Sequence, residues 1–213
     1  DGASGDYFGV SAAATDDTAV IGAYGDDDHG SYSGSAYVFE RIGGAWTQVA
    51  KLTAWDGAAE DWFGWSVAVM GGVVIVGAPY DDDHGSRSGS AHVFEKVDGA
   101  WVQVAKLTAA DATSSDYFGQ SVALSGETAL VGAWGNNSAY LFEKVDGVWT
   151  QTSTLKPRGG RPARFGFSVA LSGETAAVTA MNKCGAPLPG AVYVFEKTGG
   201  VWGQTAKRTA SSR

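Results

Sequence analysis

The chain has 213 residues, with 31 glycines, 44% hydrophobic residues and a net charge of −8. An acidic chain lacks the basic surface that neutralises phosphates, which argues against nucleic acid as a partner. No apolar run approaches the roughly 20 residues that cross a membrane as a helix, so membrane insertion is not expected.

One pattern of four short apolar runs recurs four times along the chain. Each copy passes through a Phe-Gly pair, an alternating run, a run closed in three copies by Gly-Ala, a run closed by Phe-Glu, and a run opened by Trp. Its Phe-Gly pairs are Phe8-Gly9, Phe63-Gly64, Phe118-Gly119 and Phe165-Gly166. Four short strands in about 50 residues predict a propeller blade. We therefore predict an all-β propeller of four four-stranded blades, near residues 8–54, 63–109, 118–156 and 165–210.

The connections between strands differ in length, and this difference predicts where the ligand binds. Short turns with pairs such as Gly43-Gly44 and Asp98-Gly99 join strands one to two and three to four. Because successive strands reverse direction, these turns share one end of each blade. The longer 2–3 loops and 4–1 linkers then lie together on the opposite face, here called the long-loop face. Binding residues are expected on that face.

Aromatic residues divide into two groups by their place in the repeat. The Phe of each Phe-Gly pair and the strand-four Trp residues recur in every blade, which predicts packing roles. These Trp residues are Trp46, Trp101, Trp149 and Trp202. Trp55, Trp65 and Trp134 break the pattern. Trp55 and Trp134, with the amides of Asn136 and Asn137, are candidates for a carbohydrate-stacking site.

Two acidic clusters lie in the 2–3 loops of the first and second copies. They are Asp26, Asp27 and Asp28, and Asp81, Asp82 and Asp83. Adjacent carboxylates repel one another, and a calcium ion with six to eight oxygen ligands would relieve that repulsion. The alternative is a solvated turn in which Asp and Ser side chains cap backbone N–H groups. His29 and His84 follow the clusters, but a transition-metal site is less favoured because the two copies do not converge.

The chain resembles the FG-GAP repeat family at Phe63-Gly64 followed by Gly77-Ala78-Pro79. The resemblance covers almost the whole chain, although the other copies read Gly22-Ala23-Tyr24, Gly132-Ala133-Trp134 and Thr179-Ala180-Met181. It implies a propeller like the seven-bladed one of integrin α-subunit heads and related bacterial surface and secreted proteins. Family members that bind calcium usually do so between strands one and two. Here those connections are short turns, so that calcium site is not carried over.

The charge distribution bears on how the ring closes. Residues 1–156 contain 7 Lys and Arg against 21 Asp and Glu, whereas residues 157–213 contain 8 against 2. The net charges of the two parts are therefore −14 and +6. A basic fourth blade facing an acidic first blade predicts closure on itself, a homo-oligomer, or further blades from a longer parent chain. The start of the chain within a linker favours a piece of a longer precursor.

Sequence motifs favour a binding protein over an enzyme. No Gly-x-Ser-x-Gly, His-Glu-x-x-His or phosphate-binding loop is present, and carboxylates recur only with the repeat. We therefore expect a non-catalytic extracellular or cell-surface module, bacterial in origin, that binds a protein or glycan through the long-loop face. A self-assembling structural unit, a calcium-dependent lectin and, less favoured, a polysaccharide-acting enzyme are the alternatives.

Overall fold

The computed structural model describes residues 2–158, 163–181 and 190–209, which contain sixteen strands and no helix. The strands form four antiparallel four-stranded sheets, each in chain order. This confirms the predicted all-β propeller with four blades. No helix in the described part is long and apolar enough to cross a membrane. Cys184, parts of the segments 156–164 and 181–189, and residue 210 at the end of blade four lie outside the described residues.

Each blade has the same element order. Blade one contains β1 (Ser11–Ala14), β2 (Thr18–Ala23), β3 (Ser35–Ile42) and β4 (Ala45–Leu52). Blade two contains β5 (Ser66–Met70), β6 (Val73–Ala78), β7 (Ser90–Val97) and β8 (Ala100–Leu107). Blade three contains β9 (Phe118–Ser125), β10 (Thr128–Ala133), β11 (Ser138–Val145) and β12 (Val148–Leu155). Blade four contains β13 (Phe165–Ser172), β14 (Thr175–Ala180), β15 (Ala191–Thr198) and β16 (Val201–Thr209).

Local sequence explains the hairpins and the twist of each blade. Gly43 and Gly44 have φ angles of 60° and 88°, and Asp98 and Gly99 have 50° and 85°. Two consecutive positive φ angles make the tight turn whose twist matches that of the flanking strands. The third and fourth strands of every blade also contain a register shift, such as the one between Val38 and Phe39. A bulge at that point increases the twist of the outer strands.

The hydrophobic core lies between blades. The first strands pack against one another in chain order, and the fourth strands form the outer edge. Phe63 is fully buried, contacts Phe94 of its own blade edge to face, and packs in one cluster with Val20 and Ala36 of blade one. Phe118 and Phe165 are also fully buried, in the clusters at the next two junctions. The predicted packing role of these residues is confirmed.

A charged contact repeats at each junction between blades. Lys96 donates to both carboxylate oxygens of Glu40 at 2.7 Å, and the indole Nε1 of Trp101 donates to the same carboxylate at 3.1 Å. The next junction repeats both contacts between Glu95 and the pair Lys144 and Trp149. The third has the ion pair of Glu143 with Lys197 at 2.7 Å. Each of the first three blades thus presents a glutamate to the lysine of its successor.

The four blades form an open arc. Strand packing runs from blade one to two, three and four, and no extensive packing joins the described strands of blade four to those of blade one. Phe8 packs edge to face on Tyr37 and Phe39 of its own blade, but it is 54% exposed and lacks the burial between blades that Phe63 has. Trp46 is likewise exposed, whereas Trp149 at the same register is buried. Both residues lie on the edge of blade one that no described strand of another blade covers.

Candidate functional site

On the long-loop face, hydrogen bonds join the 2–3 loops of blades one and two to the linkers that follow those blades. The backbone N–H groups of Glu60, Trp62 and Phe63 donate to the carbonyls of Ser31, Tyr32 and Ser33 at 2.8–3.1 Å. The N–H groups of Ser115, Tyr117 and Phe118 repeat the pattern with Ser86, Arg87 and Ser88 at 2.8–3.1 Å. Loops and linkers therefore form one continuous surface at this end of the arc.

Six aromatic rings form an unbroken line across this surface. Their centroids are separated by 4.8, 4.9, 3.9, 5.5 and 4.5 Å in turn. The rings, here called the aromatic row, are Tyr7, Tyr24, Trp62, Tyr80, Tyr117 and Trp134. They lie beyond the ends of the first and second strands, so the row follows the inner half of the arc. Tyr7 is exposed and the other five are half-buried.

The backbone holds the row in an unusual conformation. Tyr7, Trp62 and Tyr117 each precede a Phe-Gly pair and have φ angles of 53°, 58° and 53°. Tyr32 and Arg87, in the 2–3 loops beside the row, both have φ of 57°. A left-handed conformation costs a non-glycine residue roughly 1–2 kcal/mol, so the loop–linker hydrogen bonds must stabilise it. Such strain, retained at repeated positions, is typical of functional surfaces.

Two arginines extend the aromatic row. The guanidinium of Arg164 lies 5.0 Å from the Trp134 ring centroid, and that of Arg87 lies 5.3 Å from the Tyr80 ring. Arg87 is exposed at the margin of the row. A guanidinium over an aromatic face is an attractive contact that also stiffens the ring. The row therefore combines rigid rings with cationic margins.

The four predicted ligand-binding residues have different positions. Trp134 belongs to the aromatic row, and its Nε1 donates to Gln120 at 3.1 Å. Trp55 is 62% exposed and lies in a linker, apart from the row. Asn136 donates to the Tyr140 hydroxyl at 2.8 Å, and Asn137 accepts from the N–H of Phe165 at 3.1 Å. The structure therefore gives both asparagines local structural contacts and does not bring the four residues together.

Lysines from the outer strands reach both acidic clusters. Lys51 Nζ lies 2.8 Å from Asp26 Oδ2 and 2.6 Å from Asp28 Oδ2. Lys106 Nζ lies 2.8 Å from Asp81 Oδ2, 2.5 Å from Asp83 and 2.7 Å from Asp56. Asp26 and Asp81 are buried, whereas Asp27 and Asp82 are exposed. In each cluster a lysine ammonium group thus relieves the repulsion between the carboxylates, which is the role that the sequence analysis proposed for calcium.

The pKa shifts in the first cluster agree with an ion pair. Burial by itself raises the pKa of Asp26, but the hydrogen bond from Lys51 and the N–H of Asp28 lower it on balance. Burial lowers the pKa of Lys51, and the two aspartates raise it by more. Both groups are therefore charged at neutral pH, and each stabilises the other's charge.

Blade three supplies an internal comparison for these clusters. Its 2–3 loop reads Gly135-Asn136-Asn137 and contains no aspartate. Thr154 pairs with Tyr140 across the strands, at the register where Lys51 pairs with Tyr37 and Lys106 with His92. Blade three thus lacks both the acidic cluster and the lysine, whereas blade four keeps Lys207 at this register although residues 181–190 contain no Asp or Glu.

Three aspartates of the linkers cap local backbone groups. Asp6, Asp61 and Asp116 accept from the N–H groups of Ala3, Ala58 and Thr113 at 2.6–2.8 Å. They serve the linkers' turns and do not reach toward a shared ligand. Burial raises the pKa of Asp61 to about 6, the Ala58 N–H lowers it, and the nearby Asp81 charge raises it.

The histidines do not form a metal centre. His92 is buried, with Ser90 Oγ at 2.9 Å from its Nε2 and Gln103 Nε2 at 2.8 Å from its Nδ1. Burial and then the Lys106 charge lower its pKa, and both ring nitrogens are engaged within its own blade, which gives His92 a structural role. His29 and His84 are exposed. In the described part of the chain, no three His, Cys, Asp or Glu side chains are placed to hold a metal, and calcium at the acidic clusters stays a prediction.

Sequence reasoning missed most of the aromatic row. Tyr24, Trp62 and Tyr80 were not among the predicted ligand-binding residues. The signal in the sequence was the position of the aromatic residues within the repeat. One aromatic residue comes directly before Phe-Gly in three copies, and another follows Gly-Ala in three copies, after Pro79 in the second. Adjacent blades bring these two positions together, which a pattern within one repeat does not reveal.

Comparison with known families agrees with the geometry of the blades. The sequence profile of the FG-GAP repeat matches residues 1–39, 46–94, 101–142 and 149–195, which is most of the chain. The chain belongs to the FG-GAP repeat family. No curated protein sequence matches this FG-GAP chain.

Solved structures with the same fold come from several bacteria. A Lactobacillus plantarum protein matches with a TM-score of 0.60 and 15% identity, over 95% of this chain and 56% of its own. Kuenenia stuttgartiensis hydrazine synthase matches with a TM-score of 0.61 and 15% identity, over 94% of this chain and 49% of its own. A candidate 6-phosphogluconolactonase from Bacteroides uniformis matches with a TM-score of 0.61 and 13% identity, over 96% of this chain and 57% of its own. This FG-GAP chain therefore spans about half the length of these structures, and the similarity shows the fold alone.

Proposed function

We propose that this FG-GAP propeller is a non-catalytic recognition module of an extracellular or cell-surface bacterial protein, and that it binds a protein partner through the aromatic row. The observation that carries the proposal is the unbroken line of six rings on the long-loop face. Five of these rings are half-buried, so little conformational entropy is lost when a partner covers them.

The composition of the surface favours a protein. Tyr, Trp and Arg supply most of the binding energy in protein interfaces, and they are the residue types of the row and its margins. Exposed Asp27, Asp28, Asp82 and Asp83 lie in the loops beside it. A partner with basic side chains around an apolar centre fits this arrangement. Acidic loops would also speed the encounter with such a partner at low salt.

The surroundings of the row support a binding role over catalysis. In the described part of the chain, the buried carboxylates beside it are engaged with lysines or backbone N–H groups. An acid–base pair or an activated nucleophile needs a group within hydrogen-bonding reach of its substrate. A fold shared with a candidate lactonase does not by itself provide such a catalytic group.

A glycan is the second candidate ligand, and one observation favours it. Trp55 is 62% exposed, and Asp56 follows it in the same linker. An exposed indole face beside a carboxylate is a common way to bind a sugar ring. This site is separate from the aromatic row, so substitutions distinguish the two candidates.

The proposal is tested by capture from the native cell surface and by a glycan array, each with the same variants. Tyr7→Ala removes the exposed ring at one end of the row, and Arg87→Ala removes the guanidinium over the Tyr80 ring. Trp55→Ala removes the isolated indole, and Val148→Ala changes an exposed residue at the short-turn end. We expect one captured protein whose recovery falls at least about tenfold in the first two variants. Recovery should be unchanged in the other two and should fall with salt.

Three results would contradict the proposal in different ways. Glycan binding abolished by Trp55→Ala would establish the lectin alternative, and a chelator would show whether that binding depends on calcium. Capture that is equal in all four variants would remove the aromatic row from recognition. Turnover of a polysaccharide would show that the protein is an enzyme.

A further inference from the structure

The two open edges of the arc differ from one another. The blade-one edge comprises Phe8, Gly9, Arg41 and Trp46, and the blade-four edge comprises Phe167, Thr179, Val192 and Glu196. Each of these residues is in register with one that forms a junction between blades inside the chain. The three internal junctions therefore indicate what each edge is able to accept.

Every internal junction seats a carbonyl group of one blade against a glycine of the preceding blade. Ser11 Oγ donates to the carbonyl of Gly64 at 2.9 Å, and the same contact joins Ser66 to Gly119 and Ser121 to Gly166 at 2.8 and 3.3 Å. A Cβ atom at Gly22, Gly77 or Gly132 would overlap with that carbonyl oxygen. A blade must therefore have glycine at this register to receive a successor in this geometry.

The blade-one edge has the features of the successor half of a junction, the half that packs onto the glycine and glutamate of a preceding blade. Phe8 is 54% exposed, whereas Phe63, Phe118 and Phe165 are fully buried. Arg41 pairs with Trp46 across the strands, as Lys96 pairs with Trp101. Both Arg41 and Trp46 are exposed, and no ion pair to Arg41 forms within the described residues. Among the residues that the structure describes, none takes the place beside Arg41 that Glu40 takes beside Lys96.

The blade-four edge lacks the glycine. Thr179 pairs with Val192 where Gly22 pairs with Ala36, Gly77 with Ala91 and Gly132 with Ala139. Its Oγ1 accepts from Ser168 N at 3.1 Å and donates to the Ser168 carbonyl at 3.3 Å. The threonine lines an apolar recess of about 380 Å³ together with Phe167, Met181 and Val192. A carbonyl seated as at the internal junctions would collide with the Thr179 Cβ.

We propose that the blade-one edge is a docking surface for one kind of partner, and that Thr179 prevents a second copy of this chain from being that partner. The partner is a propeller blade of the same repeat, with glycine at the register of Gly22 and glutamate at that of Glu40. Its glutamate pairs with Arg41 and the Trp46 indole, and its strands cover Phe8. Glu196 of a second copy would supply the negative charge opposite Arg41, but Thr179 of that copy occupies the space that the Gly9 carbonyl needs.

The test converts the chain's own blade-four edge into the missing partner. Thr179→Gly opens the glycine position, whereas Thr179→Ser retains the Cβ and is the matched control. Molar mass is measured by light scattering and sedimentation over a range of concentrations. We expect the wild type and T179S to be monomers, and T179G to self-associate at least about tenfold more tightly than T179S. Two junctions that close give a dimer, and an open series gives longer assemblies.

Charge reversal shows whether the predicted edges form the contact. Adding Glu196→Lys to T179G should abolish association, and adding Arg41→Glu to that double variant should restore it. Should T179G fail to fold by circular dichroism, the sequence of β10 (Thr128–Ala133) replaces that of β14 (Thr175–Ala180), because β10 provides the same glycine in a strand that folds. A folded, monomeric glycine variant would overturn the docking surface. Association of the wild type that Glu196→Lys abolishes would make the second copy the occupant and overturn the role of Thr179.

Discussion

Phe118 and Phe8 occupy the same register in their blades, yet Phe118 is fully buried and Phe8 is 54% exposed. Phe118 lies between two blades, whereas the side of Phe8 away from Tyr37 and Phe39 faces no blade. We expect Phe118→Ala to lower the free energy of unfolding by about 3–5 kcal/mol. Phe8→Ala should cost less than about 1 kcal/mol. Urea unfolding of the two variants measures the difference, and equal losses would mean that another surface covers Phe8.

A glycine at a junction should tolerate a methyl group far less well than a glycine at the outer edge. The Cβ of Gly77→Ala would overlap with the Gly119 carbonyl, so we expect a loss of about 1–3 kcal/mol in the free energy of unfolding. Gly203→Ala, in an outer strand with nothing within 4 Å of the new Cβ, should be neutral or gain about 0.4–1 kcal/mol. Chemical denaturation compares them. A stable Gly77→Ala protein would show that the blades separate easily.

Asp61 should make stability fall as pH rises through the weakly acidic range. Its pKa is about 6 in the folded protein against 3.8 for a free aspartate, so the folded state retains the proton more strongly. The stabilisation is complete below pH 3.8 and is lost as the pH passes 6. The amide introduced by Asp61→Asn keeps an acceptor for the Ala58 N–H without the charge. We expect this variant to be more stable than the wild type at pH 7.5, by on the order of 1 kcal/mol after allowance for solvent screening.

The comparison at two pH values tests this assignment. Near pH 3 the wild type and Asp61→Asn should have the same free energy of unfolding, because Asp61, with a pKa of 3.8 when unfolded and about 6 when folded, is then largely uncharged in both states. Other titrating groups act equally in both proteins and cancel in the difference. A difference that stays constant from pH 3 to 7.5 would assign the effect to packing and not to the charge.

Lys106 should compete with calcium for the second acidic cluster. Its ammonium group lies within 2.5–2.8 Å of three carboxylates, so an ion there must displace it. Lys106→Met should lower Tm, and calcium should raise Tm more in this variant than in the wild type, since a ligand of the folded state stabilises it by mass action. Lys96→Met, which breaks the distant pair with Glu40, is the control and should respond to calcium as the wild type does. Identical melts with calcium and with chelator in all three proteins would remove the calcium prediction.

The repeat in the sequence determined the blades and their orientation. Each blade's strands and turns depend on neighbouring residues, as Gly43-Gly44 and Asp98-Gly99 show, and a local pattern predicts such elements well. Strand reversal within a blade then places every 2–3 loop at one end. These steps require no knowledge of how one blade meets the next.

Contacts between blades were decided only in the tertiary structure. Tyr24 and Trp62 are 38 positions apart in the chain, and Lys106 and Asp56 are 50 apart, so no window of one repeat shows that they meet. Phe8 and Phe118 read identically in the sequence, and their different exposure depends on whether a preceding blade is present. The physical reason is that burial and charge pairing depend on distance in space, whereas strand and turn formation depend on distance along the chain.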